Sequence, residues 1–418
     1  MRSTLVGPSG SGGPAGAFRL TPGANGAGDM RGDVTRVTVI GEPGERIGEP
    51  EQSPRRRRTP AMPRRTLIGT VALGVALAAL FVLTLMPSNY VIQRPGPVYN
   101  TIGSVENADG EDVPLIAIEG TETYETSGSL DLTTVQVVGN REYTPRWIEL
   151  AAAWLDGSKA VVPLDTVFPE GTTSEQREEQ NAALMVDSQA EATAAALRAL
   201  GYDIDASIEV VDLVDDSPAQ GLLRPGDVIL AADGEAVADV AELRERIQAA
   251  DGEPIEVTIR RDGAEETVAI EPTRAVIDGA ESWAIGVTLM TQYEDFPFDV
   301  TIQLDNVGGP SAGMMFALGI VDVLTPGEAT GGENIAGTGT IAGDGDVGPI
   351  GGIRQKLYGA RDAGADWFLA PQENCDEVTG HVPDGLRVVS VDTLADALTA
   401  VDAIARGDVD GLPTCTTG

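Results

Sequence analysis

Residues 305–316 read DNVGGPSAGMMF, and residues 337–371 read GTGTIAGDGDVGPIGGIRQKLYGARDAGADWFLAP. In the first stretch two glycines and a proline lead into Ser311, which opens the apolar run Ala312–Leu324. Glycine allows a sharp backbone turn, and a helix start presents free N–H groups able to hold an oxyanion. A serine at a helix start is most often a structural cap. Ser311 is therefore a candidate nucleophile only if the chain also supplies a base.

The choice of base is narrow. There is one histidine, His381, in the turn-like stretch GHVPDG, and there are two lysines, Lys159 and Lys356. All other cations are arginine, which cannot give up its proton in a protein, whereas a desolvated lysine can. Lys356 falls in a helix entered through Gly351-Gly352, whose apolar stripe is Ile353, Leu357 and Ala360, so it borders the buried face. Burial would lower its pKa towards that of a general base. The plainer reading is a surface lysine whose stem lies along apolar neighbours, and a solvated surface residue is likewise the plainer reading for Lys159.

Composition bounds the rest. A chain of 418 residues has room for two or three domains. With 51 Gly, 26 Pro and 4% aromatics it is turn-rich. The net charge of -37 is unevenly spread: 11 Arg stand against 6 Asp and Glu up to Arg65, leaving 17 basic and 59 acidic residues beyond. Such an acidic body excludes nucleic acid as a partner and resists anionic surfaces. Cys375 and Cys415 form no C-x-x-C, and with one histidine they exclude a Cys/His zinc site. No cofactor is implied. The two cysteines either pair, tying down the C-terminal end, or stay free.

Residues 1–66 read as a disordered basic cytoplasmic tail, in which the RGD at 31–33 is a chance occurrence. The arginines 55–58 and 64–65 then abut the uncharged run Leu67–Met86, long enough as a helix to cross about 30 Å of hydrocarbon. Basic residues before the run place the N-terminus in the cytoplasm and the body outside a cell membrane crossed once. A cleaved signal peptide is the competing reading, opposed by the length of the run and the lack of an A-x-A site before Pro87. Strands are expected at 112–120 and 127–139, and one helix from Ser174, as cap, to Gly201. Between 205 and 275 strands alternate with one helix at 237–250, and a hairpin turns at Asp262-Gly263.

Within that interval, Ser217-Pro218-Ala219, Gly221-Leu222, Gly226-Asp227, Val228-Ile229-Leu230 and Asp233-Gly234 resemble bacterial PDZ domains. The resemblance implies a module that adds an extended peptide to a sheet edge beside its helix. The G-L-G-F loop of the family finds no clear match, and a small β-rich spacer that binds nothing is the alternative.

The two opening stretches together resemble the proteolytic domain of Lon-family serine peptidases, with GPSAG followed by GPIGGIRQK and ARDAGADWFLAP. By position Ser311 matches the nucleophile, Lys356 the general base, and Thr338 a threonine that helps orient the lysine. The oxyanion would be held by backbone N–H groups around Gly309, Pro310, Ser311 and Ala312. Two positions depart from the family: Gly308 stands where it has Asp, and Gln355 where it has Glu. Ser129–Val135 and Met185–Ala192 resemble earlier segments of the same domain, which implies a PDZ-like unit inserted within it. The divisions expected are 67–86 transmembrane helix, 87–204 first part of the proteolytic domain, 205–275 PDZ-like domain, 276–405 catalytic domain and 406–418 tail.

The fold class expected is α+β, and the activity an ATP-independent serine endopeptidase acting on exposed or unfolded protein segments. A G-x-x-x-x-G-K-[ST] stretch is absent, and GDGDVG at 343–348, which fits a dinucleotide pattern, opens no helix. Hexamers are implied by the resemblance alone. The rival reading is a non-catalytic membrane-tethered PDZ scaffold.

Overall fold

The strand Ser129–Val138 carries the β-branched run of SLDLTTVQVV and organises the body around itself. In the computed structural model, residues 63–415 are described apart from 108–109, 170, 172, 238, 278–279, 294–295 and 305–306. The expected tail at 1–66 thus lies almost wholly outside the described residues. On one side Ser129–Val138 pairs antiparallel with Tyr90–Asn100, which pairs in turn with Ala160–Pro163. On the other it pairs in parallel with Asn334–Gly337, from Ser129 opposite Asn334 to Leu132 opposite Gly337. Trp367–Pro371 and Arg387–Val391 continue the parallel half. A second long-range pair joins Ile116–Glu119 to Asp299–Ile302. Chain before residue 139 and chain after residue 298 therefore share one sheet and one core.

That core shows why its strands are so apolar. Trp367–Pro371 is buried on both faces, as a parallel strand covered by helices on either side must be. Leu369 points into the cluster around the helix Gly313–Leu324, and Phe368 and Ala370 into the cluster around the helix Ile353–Asp362. The first of these helices is buried from Gly313 to Asp322, between the long helix Ser174–Ala199 and the C-terminal helix Leu394–Arg406. Each of Met314, Met315, Phe316 and Ile320 is fully buried, and each such side chain stabilises by roughly 1.5–3 kcal/mol. The long helix is capped one residue earlier than its sequence suggests. Thr173 accepts from the Gln176 N–H while the Gln176 side chain accepts from the Thr173 N–H, the reciprocal arrangement that Ser174 would have missed.

Residues 206–293 form a separate sheet and core. The strand order is Ala264–Ile270, Ile255–Arg261, Val228–Ala232, Ala206–Leu213, Val287–Tyr293. The hairpin at Asp262-Gly263 turns through φ of 51° and 82°, the left-handed pair that a two-residue loop requires. Helix Val240–Ala249 starts from Asp239, which accepts from the Glu242 N–H. The buried Asp227 is gripped by both Nε and Nη2 of Arg261. The expected end of this unit at 275 requires correction. Val287–Tyr293 pairs along the whole of Ala206–Leu213, and Ile285 and Trp283 belong to this core. A closing strand that returns from beyond the hairpin Thr273–Ile277 with Ala280–Ala284 carries no local mark of the sheet it will join.

The helix Arg64–Leu85 is 22 residues long, holds an 18-residue stretch with a mean hydropathy of 2.4, and buries no side chain. By length and composition it can cross a membrane. At the other end of the chain, Cys375 and Cys415 form a disulfide that spans 40 residues, and the Ser390 N–H bonds the Pro413 carbonyl. The expected tail at 406–418 is thus docked at least to Cys415. Closing a loop of this length confines the unfolded chain enough to stabilise the fold by about 4 kcal/mol. A Cys375→Ala/Cys415→Ala variant should lose most of that in urea unfolding, and reductant should have no further effect on it.

Candidate active site

Three segments far apart in sequence meet at one point. Ser311 sits just before Ala312, the N-cap of the helix Gly313–Leu324, Thr338 follows the strand Asn334–Gly337, and Lys356 lies in the first turn of the helix Ile353–Asp362. The Lys356 Nζ lies 2.8 Å from the Ser311 Oγ and 2.7 Å from the Thr338 Oγ1. Lys356 is 2% exposed and Thr338 fully buried. No carboxylate pairs with the lysine among the described residues, and burial pulls its pKa from the ordinary 10.5 to about 7. The other lysine, Lys159, is at the surface in an ion pair with Asp156. The His381 ring bonds the Thr379 carbonyl of its own turn, and it is absent from the cleft that holds Ser311.

Proton positions follow from the bonds. The Thr338 hydroxyl donates to the Ser311 carbonyl at 2.8 Å. Its one proton being so used, it can only accept from the Lys356 amine. A neutral amine that donates to Thr338 keeps its lone pair free for the Ser311 O–H. The Ser311 carbonyl also accepts from the Gly339 N–H at 3.0 Å, so the backbone that carries the serine is held by the strand that carries Thr338.

The long helix supplies the remaining supports, which the sequence did not single out by role. Its Asn181 carbonyl accepts from the Gly309 N–H at 2.9 Å, and the Ser188 hydroxyl donates to the Pro310 carbonyl at 3.0 Å. Ser188 lies inside the segment Met185–Ala192, and the resemblance of that segment to an earlier part of the Lon proteolytic domain was its only signal. These contacts show which backbone N–H groups around Gly309 to Ala312 are already bonded. The Gly309 amide is committed to Asn181, Pro310 has no N–H, and the Gly313 amide bonds the Pro310 carbonyl. Among the described residues the N–H groups of Ser311 and Ala312 have no backbone partner, and Ala312 begins the helix without a side-chain cap. Ser311 is therefore not the structural cap that its position suggests.

The two departures from the family pattern also find places. A Cβ on Gly308 would lie 2.7 Å from the Asn181 Cβ and 3.2 Å from its backbone carbon. The long helix thus occupies the space that a carboxylate at 308 would need. Gln355 is buried beside Lys356, so no charge enters the neighbourhood of the amine from that position.

Ser311 and Lys356 line a cleft of about 860 Å³ with Thr133–Val137, Met185, Val307 and Gly308. The parallel pairing of Ser129–Val138 stops at Leu132. From Thr133 onward that edge faces the cleft without a strand partner among the described residues, so an extended peptide can add to it. The smaller sheet has an open edge too: Val287–Tyr293 is its outermost strand and lies beside the helix Val240–Ala249. Ile285 and Gly286 lead into that strand, with Gly286 at a φ of 70°. The end of the strand is fastened to the first core, because Tyr293 donates its hydroxyl to Glu191 of the long helix and Arg198 stacks on its ring.

The fold and this site define a chain with a Lon-type proteolytic domain and a PDZ domain. Residues 305–403 match the Lon protease (S16) C-terminal proteolytic domain, and residues 184–271 match the PDZ domain. The PDZ match begins within the long helix of the first core and stops before the edge strand Val287–Tyr293. Among curated relatives, a Lon protease of Campylobacter concisus is 37% identical over 94 residues, covering 22% of this chain and 11% of that protein. One of Fusobacterium nucleatum is 42% identical over 79 residues, covering 19% and 10%. The chain thus spans about a tenth of the length of the relatives it matches. A solved PDZ domain of an SdrC-like protein from Listeria monocytogenes is 28% identical, covering 20% of this chain and 85% of that one, at a TM-score of 0.18. That score is too low to bear on the fold.

Because the backbone at 308 touches the long helix, Gly308→Ala should cost about 1–3 kcal/mol in denaturant unfolding. Gly308→Asp should cost more, with no gain in peptide cleavage.

Proposed function

We propose that this chain is a membrane-anchored serine endopeptidase in which Ser311 and Lys356 form the catalytic dyad and the PDZ-like unit is inserted within the proteolytic domain. The observation that carries this reading is the dry Lys356 amine, 2.8 Å from the Ser311 Oγ and free of any carboxylate partner among the described residues. A structural lysine in that position would be protonated and would need a counter-ion. A neutral one is a base.

In the proposed reaction the Ser311 Oγ attacks a peptide carbonyl while Lys356 takes the hydroxyl proton. The developing oxyanion is held by the N–H groups of Ser311 and Ala312 at the start of a buried helix. Lys356 then passes the proton to the leaving amine, and the acyl-enzyme is released by a water that the same amine activates. The substrate lies extended along Thr133–Val137. The edge strand Val287–Tyr293 of the PDZ-like unit recruits a second stretch of the same flexible polypeptide. Without a nucleotide-binding loop in these 418 residues, the substrates are segments already unfolded or exposed.

Three features support an extracytoplasmic body: the helix Arg64–Leu85, the arginines that precede it, and the disulfide, which persists in oxidising compartments.

Casein or an unstructured peptide incubated with the full chain tests the dyad. Ser311→Ala and Lys356→Ala should each lower kcat/KM by at least about a thousandfold. Lys356→Arg should fail equally, since the guanidinium keeps its proton. Unchanged cleavage in these variants would discard the dyad, and an inert wild type would favour the scaffold reading. Since the neutral amine is the active form and its pKa is about 7, kcat/KM should rise about tenfold from pH 6 to pH 8.

Stability should move differently. The folded state holds fewer protons at Lys356 than the unfolded state between about pH 7 and 10.5, so this residue's burden on the fold eases as pH rises through that window. Lys356→Met should therefore be inactive yet show a higher Tm than wild type, with the larger difference below pH 7. Thr338→Val should lower kcat with little change in KM, and Thr338→Ser should restore it.

A further inference from the structure

Among the described residues, twelve large apolar side chains stand exposed beyond the helix Arg64–Leu85 and Met86, and four of them fall between Tyr143 and Leu155. They are Tyr143, Ile148, Trp154 and Leu155, the last two 62% and 91% exposed. They belong to one small element, the helix Trp147–Ala153 with its flanking turns. Exposed apolar groups gathered on one short element mark a surface that is covered by something else.

The position of the element says what covers it. Pro87 bridges to Arg146, and the Ser88 N–H and hydroxyl both bond the Pro145 carbonyl. The helix Trp147–Ala153 packs against the helix Arg64–Leu85 itself. Residues 143–155 are therefore fastened to the chain within three residues of the end of the apolar helix. The charge fits as well. Beyond Arg65 the chain carries 17 basic and 59 acidic residues, yet residues 139–163 hold Arg141, Arg146 and Lys159 against Glu142, Glu149 and Asp156. In a body that would otherwise be repelled by phosphate headgroups, this segment is neutral. Trp and Tyr with aliphatic neighbours at the end of a span are the residues of the membrane–water interface.

We propose that the element Tyr143–Leu155 lies in the outer interfacial layer of the bilayer, with Trp154 and Leu155 immersed among headgroups and upper acyl chains. This rests on the membrane-anchored reading above. Two points of attachment, the span and this element, hold the body in one orientation on the membrane. Strand Tyr90–Asn100, which follows the span directly, pairs with Ser129–Val138, so the cleft would be presented at a set height above the lipid. The occupant is a lipid surface and not a particular headgroup.

The full chain, reconstituted in phosphatidylcholine vesicles with and without brominated acyl chains, tests this through tryptophan fluorescence. The wild-type minus Trp154→Phe difference spectrum isolates Trp154 from Trp147, Trp283 and Trp367. That difference emission should be blue-shifted and at least halved by bromolipid, more by bromine near the glycerol end of the chain than near its methyl end. Leu155→Asp should restore most of it while the chain still resists alkaline extraction. Equal quenching of wild type and Trp154→Phe, in vesicles from which alkali does not release the chain, would overturn the proposal and leave the anchor standing. Release by alkali would remove the anchor and the proposal together. Cross-linking of a photoreactive residue at 154 to a second copy, without quenching, would assign the surface to self-association and also overturn it.

Discussion

The site depends on a lysine amine held out of water, without a counter-charge among the described residues. Transferring an ammonium into such a place is costly, and burial accordingly lowers the pKa of the amine to about 7. Among the described residues, two hydroxyls, Ser311 and Thr338, are all that the Nζ touches within hydrogen-bond distance. This demands that no carboxylate come near, and the surroundings comply at both positions where the family pattern carries one. Gln355 brings an amide, and Gly308 leaves no room for a side chain.

The rest of the architecture serves to hold that arrangement against the flexibility expected of a glycine-rich corner. The corner 308–313 is held from three directions: by the long helix through Asn181 and Ser188, by the strand end through Thr338 and Gly339, and by its own buried helix. Gly313 is needed for this closeness, since a Cβ there would meet Ile341 and Ser188 at 2.8 Å. The Tyr293–Glu191 bond lies on the same long helix, one helical turn beyond Ser188. Burial raises the pKa of both groups, so the phenol keeps its proton and remains a donor. The smaller sheet is thus physically continuous with the support of the Ser311 corner.

Much of this was legible in the residues alone, where local rules act. The apolar run after Ser311, the Asp262-Gly263 turn, the stripe beside Lys356 and the uncharged run before Pro87 each announce their element through spacing and backbone preference. Two expectations failed for one reason. Ser174 as cap and residue 275 as the end of the smaller domain are both local readings of matters settled by a partner elsewhere. Those partners are the Thr173–Gln176 exchange and the strand Ala206–Leu213.

The sequence by itself determined which groups are available for chemistry: a serine behind two glycines, one of only two lysines in a chain that otherwise uses arginine, and two cysteines. These are facts of composition and short-range pattern. Only the tertiary structure decided that Ser311 meets a lysine 45 residues away, that its carbonyl is held by Thr338, and that Cys375 reaches Cys415. The decisive step was the parallel pairing of Ser129 with Asn334 across 205 positions. Such a contact depends on burying both faces of a sheet between helices at once, a condition that no stretch of the chain can meet or signal alone.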